Sequence, residues 1–184
     1  RRVIDQVDLA SIAARERVTK HDVKARIEEF NELAGHEYVH IGMTSRDLTE
    51  NVEQLQVRDS LRIVRDKSVA ALDRLSGLAV AYSDTALTGR SHNVAAQTTT
   101  LGKRFASAAD EMLVAFGRLE DLLERYPLRG IKGPVGTAQD MLDLVGDEQR
   151  LGQLAAAVAR HLGFTHVLDS VGQVYLRSLH LDLA

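Results

Sequence analysis

The chain has 184 residues, 45% hydrophobic and 27% charged, a composition suited to one compact domain and unlike a disordered tail or a collagen-like repeat. Its 23 Lys and Arg nearly balance 26 Asp and Glu, so a net charge of -3 gives no global attraction to nucleic acid or an anionic membrane, and an anionic ligand must be held by local groups. Zero Cys excludes disulfides, thiolate metal sites and cysteine nucleophiles, and no apolar run approaches the roughly 18 residues of a membrane span.

With 2 Pro and 4% aromatic content, chain breakers and strand-favouring residues are both scarce, which points to an all-α fold. The start at Arg1 and the uncapped end at Ala184 read as the limits of an internal piece of a longer protein. Asp8 to Arg17 predicts a short helix. A second, amphipathic helix follows, with Val23, Ile27, Phe30 and Leu33 at spacings of one turn, Asp22 as its expected cap and Gly35 as its stop. His21 therefore lies at a helix N-terminus, where unpaired N–H groups favour an anion.

Thr44 and Asp47 have the spacing of a capping box, opening a helix expected from Ser45 to Tyr82. Leu48, Val52 and Leu55 form one apolar stripe on it, while Val57, Leu61, Val64, Ala71, Leu75 and Leu78 form a second on another face. At 1.5 Å per residue such a helix is about 57 Å long, which suits an elongated bundle, and its spare apolar surface suits an oligomer. Thr85 to Thr100 is polar and breaks the pattern, so it is expected to be an ordered loop. Leu101, Phe105, Ala108, Met112, Phe116, Leu119 and Leu123 then mark a strong helix ending before Pro127. The glycine-rich run from Arg129 to Gly136 reads as a loop, Gln149 to Leu162 as a helix stopped by Gly163, and Gln173 as the start of another.

Three polar segments interrupt the helices: Lys20-His21-Asp22, the run from Gly42 to Asp47, and the run from Gly89 to Thr100. Hydroxyls, imidazoles and helix-terminal N–H groups of this kind bind carboxylates or phosphate. Each has a plainer explanation when taken alone. Thr44-Ser45 is then only a cap, His21 a structural or solvated neighbour of one, and His92 a residue of a polar loop. His36, His161, His166 and His180 have no motif around them and are assigned to surface or packing, while His40, which precedes the Thr44–Ser45 turn, is a candidate pocket-lining residue that is not counted among the site residues.

Taken together the strings are specific. Gly89-Arg90-Ser91-His92, followed by Gln97-Thr98-Thr99-Thr100-Leu101-Gly102-Lys103-Arg104, resembles the histidine segment of the fumarase/aspartase superfamily. Thr19 to Val23, His40 to Asp47 and Arg129 to Thr137 narrow the resemblance to the adenylosuccinate lyase family, over most of the chain from about Thr19 to Arg177.

The resemblance implies an all-α, fumarase/aspartase-like fold, an elongated bundle of long helices with polar active-site loops. Residues 1–85 are then the N-terminal part of the lyase and 86–184 the first part of its central helical-bundle domain, ending before the mobile, serine-rich catalytic loop. It also implies a carbon–nitrogen lyase of purine biosynthesis that eliminates fumarate from adenylosuccinate to give AMP, and from the succinylcarboxamide ribotide (SAICAR) to give AICAR. The enzyme is expected in the cytoplasm as a homotetramer whose active sites are shared between subunits, with no cofactor, metal, nucleic-acid or membrane partner.

Carried over residue by residue, His92 resembles the general acid that protonates the departing nitrogen, and His21 the second catalytic histidine, flanked in the pocket by Lys20 and Asp22. Thr44 and Ser45 resemble ligands of a succinyl carboxylate, Gln173 a substrate-binding glutamine, and Lys132 and Arg177 anion contacts. The base is expected outside this sequence, in the serine loop, so the 184 residues alone are expected to be inactive. Two alternatives stand beside this: another superfamily lyase or cycloisomerase, and a non-catalytic helical scaffold.

Overall fold

A computed structural model describes residues 3–184, and it is mostly helical. After a single 3₁₀ turn at Ile4–Gln6, Asp8 caps α1 (Leu9–Thr19) by accepting the Ala10 N–H at 2.8 Å, and Lys20 closes the helix in the left-handed region at φ 55°. The cap of α2 (Asp22–Ala34) is His21, not Asp22 as the sequence suggested: the imidazole Nδ1 accepts the Lys24 N–H at 3.2 Å. Gly35 ends α2 at φ 72°, as expected.

Packing of α1 on α2 centres on the buried Glu29 carboxylate, which accepts from the Asp8 N–H, the Ser11 hydroxyl and the Arg15 guanidinium. The Ser11 hydrogen bond chiefly, with the other two donors, holds Glu29 below the usual carboxylate range against the opposing effect of desolvation.

The long helix α3 (Ser45–Ala81) has 37 residues and so rises about 55 Å. It opens as the capping box predicts, with the Thr44 N–H donated to Asp47 Oδ2 at 2.9 Å. Thr85 to Thr100 is not the loop expected from its composition: β1 (Ala86–Ser91) and β2 (Val94–Thr100) pair as an antiparallel hairpin, with an irregularity between Thr88 and Arg90. Ser91 pairs with Val94, leaving His92 and Asn93 as a two-residue turn at φ 50° and 63°, the type I′ geometry that matches strand twist.

Thr100 caps α4 (Leu101–Arg125), whose extent agrees with the apolar spacing read from sequence. Gly102 is where α4 meets the end of α3: a Cβ there would lie 2.3 Å from the Ala79 carbonyl oxygen. Beyond Pro127 come α5 (Gln139–Val145), α6 (Glu148–Leu162) and α7 (Ser178–Leu181). α5 has no side-chain cap, since its N-cap is Ala138, and it carries no start signal in the sequence. The helix expected from Gln173 is only the single turn of α7.

Contacts divide the chain into two compact units where composition suggested one. The first joins residues up to Leu55 with Pro127–Ala184, and the second is Gln56–Tyr126. These boundaries differ from the 85/86 division of the sequence and cut α3 within its length. In the first unit, Leu128 pairs with the strip at 166–168, donating to the His166 carbonyl and accepting from the Leu168 N–H, both at 2.8 Å. Val171, Tyr175 and Leu179 pack with Leu168 nearby. Among the described residues no helix is long and apolar enough to cross a membrane.

Candidate functional site

At its N-terminal end α3 buries a face about 100° round from the Leu48–Val52–Leu55 stripe. Leu48 and Leu55 are half-buried and Val52 is exposed, whereas Asp47, Glu50, Asn51 and Gln54, one helical turn apart, are all buried. Burying four polar side chains is costly unless each is paired.

The partners come from the glycine-rich loop. Arg129 is fully buried; its guanidinium bonds Asp47 and places Nε 3.0 Å from a Glu50 oxygen, and its backbone N–H donates to Gln54 Oε1 at 2.6 Å. Asn51 bonds the backbone of Gly130 in both directions, at 2.9 and 3.0 Å. Asp47 further accepts the Lys132 N–H at 2.8 Å and the Gly133 N–H at 3.1 Å, and Glu50 accepts the Tyr175 N–H at 2.9 Å. The 129–133 loop thus follows the polar face of α3 by pairing most of those side chains, while Glu50 Oε1 and Gln54 Nε2 are left without a hydrogen-bond partner among the described residues.

Beside this network lies a cavity of about 450 Å³, lined among others by His21, Lys24, Asn31, His40 and Ser45. His21 Nε2 is 3.2 Å from Ser45 Oγ across its wall. Because Nδ1 accepts the Lys24 N–H, the hydrogen-bond pattern assigns the proton of the neutral ring to Nε2, which then donates to Ser45. The Ser45 hydroxyl hydrogen is left to point at a ligand.

His40, a candidate pocket-lining residue in the sequence that is not counted among the site residues, lines the same cavity in the left-handed region at φ 79°. Its buried Nε2 has no hydrogen-bond partner among the described residues, and the same holds for Asn31 Oδ1. A strained non-glycine conformation and two orphaned polar atoms around one cavity mark a place where a ligand would complete the bonding. The signal in the sequence is the position of His40 two residues before the Gly42–Asp47 turn.

The other residues singled out by sequence fall as follows. Thr44 lies at the head of α3, tied to Asp47, beside Ser45. Lys20 is exposed next to His21, and Asp22 is exposed and paired with Arg26 at 3.2 Å. Lys132 is drawn to α3 through its backbone, while its Nζ donates to the Asp169 carbonyl at 3.3 Å. Gln173 is reached through its carbonyl, which accepts from Arg129 Nη2 at 3.3 Å. The Arg177 guanidinium lies 5.6 Å from the centre of the Tyr175 ring and 3.4 Å from His180 Nε2. His21 and Ser45 are thus in direct contact, and Thr44, Lys132 and Gln173 are joined through the buried network. His92 belongs to the second unit, exposed at the hairpin turn, where Arg90 braces the turn by donating to the Asn93 carbonyl at 2.8 Å.

A family profile described as Lyase matches residues 2–167. The adenylosuccinate lyase of Saccharomyces cerevisiae is 34% identical over 179 residues, covering 96% of this chain and 37% of that protein. The adenylosuccinate lyase of Methanothermobacter thermautotrophicus is 37% identical over 180 residues, covering 96% of this chain and 38% of that protein. The chain thus spans little more than a third of the length of these curated relatives. Among solved structures, 3-carboxy-cis,cis-muconate lactonizing enzyme from Pseudomonas putida superposes with a TM-score of 0.78 at 22% identity, over 97% of this chain and 40% of that one, a likeness of fold.

Proposed function

Because the chain belongs to the lyase family, we propose that it is part of an adenylosuccinate lyase, a carbon–nitrogen lyase that releases fumarate from adenylosuccinate to give AMP and from SAICAR to give AICAR. The observation that carries this reading is the His21–Ser45 contact of 3.2 Å on the wall of the cavity, made by two of the residues that the motifs single out.

The elimination removes a proton from the succinyl carbon next to a carboxylate, breaks the carbon–nitrogen bond and returns a proton to the nitrogen. Charge builds on the carboxylate in the carbanion-like transition state. The Ser45 and Thr44 hydroxyls, with the N-terminal amides of α3, form a donor set suited to that charge. His21, whose Nε2–H is aimed at Ser45, orients the serine hydroxyl. His92 is the proposed acid, since an imidazole exchanges protons near neutral pH. Lys20, Asp22, Lys132, Gln173 and Arg177 are the proposed remaining substrate contacts.

On the same reading, residues 1–85 belong to the N-terminal part of the enzyme and 86–184 to the beginning of its central bundle. A homotetramer with shared sites is supported by the second unit. Val64, Val69 and Val80 of α3 and Leu113 and Val114 of α4 are all exposed, an apolar surface that another subunit would cover. A cytoplasmic setting accords with the absence of Cys from the sequence.

The test is turnover by the full-length protein. Offered adenylosuccinate, argininosuccinate and malate separately, it should release fumarate from the first, with AMP appearing in equal amount. Preference for either of the others, or no turnover of any, would overturn the assignment.

A further inference from the structure

The buried charges under the glycine-rich loop tie separate segments of the chain together. Asp47 is 1% exposed, and its two carboxylate oxygens accept from four places: Thr44 N–H, Lys132 N–H, Gly133 N–H and the Arg129 guanidinium. The first of these belongs to the segment carrying the Thr44 and Ser45 hydroxyls, and the next two belong to the segment carrying Lys132. Arg129 continues the chain of contacts, donating to the Gly133 carbonyl at 3.2 Å and the Gln173 carbonyl at 3.3 Å. Glu50, beside the Arg129 Nε, takes the Tyr175 N–H two residues further on. Three stretches of sequence, around 44, 132 and 173, are therefore fastened to one carboxylate and its counter-ion.

We infer that Asp47 is a positioning residue: through its own oxygens and through Arg129 it fixes the Thr44–Ser45 head of α3 against the loop of Lys132 and the segment of Gln173. This inference rests on the lyase reading, and names the group that sets its carboxylate-binding hydroxyls. Asp47 is buried with its oxygens taken by protein donors, so it is assigned no contact with substrate. Its influence passes through Ser45, two residues away, whose Oγ must stay 3.2 Å from His21. A displacement of about 1 Å in such a donor is enough to cost on the order of 10²-fold in rate.

A carboxylate is needed rather than an amide of the same shape. Four donors converge on Asp47, and an asparagine would present an NH₂ group where one of its oxygens accepts now, opposing N–H groups and losing the charge that holds Arg129.

In the full-length protein, Asp47→Asn should lower kcat for adenylosuccinate by at least about 10-fold. Ser45→Ala should lower it by a comparable or larger factor, and the double variant should lose no more than the worse of the two. Such non-additivity marks action through Ser45, whereas a purely structural role would make the two losses multiply. Multiplying losses, or an Asp47→Asn enzyme with unchanged kcat, would overturn the inference.

Should Asp47→Asn fail to fold, amide hydrogen exchange on the unaltered protein decides. The Lys132 and Gly133 amides should exchange as slowly as those in the first turns of α3, opening together with them. Rapid exchange at Lys132 and Gly133 while α3 stays protected would refute the clamp. If the full-length protein turns over no adenylosuccinate, the lyase reading falls, yet the exchange pattern still reports on the clamp by itself.

Discussion

The two units of the chain solve opposite problems. In the first, α3 buries Asp47, Glu50, Asn51 and Gln54 and leaves Val52 outside, and every one of those buried side chains engages the 129–133 loop or the segment beyond it. In the second, Val64 and Val80 of α3 and Leu113 and Val114 of α4 are more than half exposed, and polar contacts are made by surface pairs such as Arg65 with Glu120 at 3.6 Å. Polar burial makes geometry specific, because a charge taken out of water tolerates few arrangements of its partners. Apolar exposure instead leaves a surface whose free energy can be recovered only by covering it. The contrast teaches that the first unit is built to hold groups in place, and the second to be packed against.

The sharpest way to break that contrast is to remove one cation from each unit. Arg129→Met leaves Asp47 buried without its counter-ion, and Glu50 with only Arg46 at 3.8 Å, and should destabilise the full-length protein by about 3–5 kcal/mol. Arg65→Met removes a half-exposed partner of Glu120 and should cost less than about 1 kcal/mol. Urea denaturation followed by circular dichroism compares the two midpoints. Equal shifts would show that the buried network carries no special weight.

Much of the helical frame was legible because its signals are local. Asp8, Gly35 and Gly163 stand at helix ends, Thr44 and Asp47 at capping-box spacing, and α4 repeats its apolar residues every turn. What was missed depends on partners distant in sequence or on unusual local chemistry. A stripe of Asp47, Glu50, Asn51 and Gln54 reads as a solvated face until Arg129 and Gly130 are brought to it. Asp22 looked the better cap because carboxylates commonly fill that place, whereas His21 does so with a ring nitrogen. The hairpin hid because its turn is His92-Asn93 rather than Asn-Gly, and its strands lack a run of alternating apolar residues. At the site, His21, Thr44 and Ser45 were legible as motif residues. Asp47 reads only as a cap, and although the place of His40 before the Thr44–Ser45 turn suggests a pocket, its strained backbone and orphaned Nε2 needed the fold.

The second unit offers a cleaner separation of function from stability. His92 is exposed at a left-handed turn position, where asparagine is better suited than histidine. His92→Asn should therefore leave the melting temperature unchanged or slightly raised, while kcat of the full-length enzyme falls on the order of 10²-fold or more if His92 is the acid. Full activity in a stable His92→Asn protein would show that the acid lies elsewhere and that this histidine merely forms a turn.

The smallest expected effect tests how the first unit responds to pH. Glu29 is held below the usual carboxylate range by the Ser11 hydroxyl first, and then by the Asp8 N–H and Arg15. A carboxyl whose folded value is depressed contributes stability that is fully present above its unfolded value, about 4.3, and is lost as pH falls through the folded value. The contact between α1 and α2 should accordingly weaken on acidification below about pH 4.3 and be insensitive between pH 6 and 8. Glu29→Gln keeps the shape and an acceptor for Ser11 but removes the charge facing Arg15. The variant should be modestly less stable at pH 7, and its melting temperature should fall less steeply between pH 5 and 3 than that of the unaltered protein. Parallel melting curves over that interval would mean that the acid sensitivity of the first unit resides in other carboxylates, and that the α1–α2 contact is held by packing rather than by this charge.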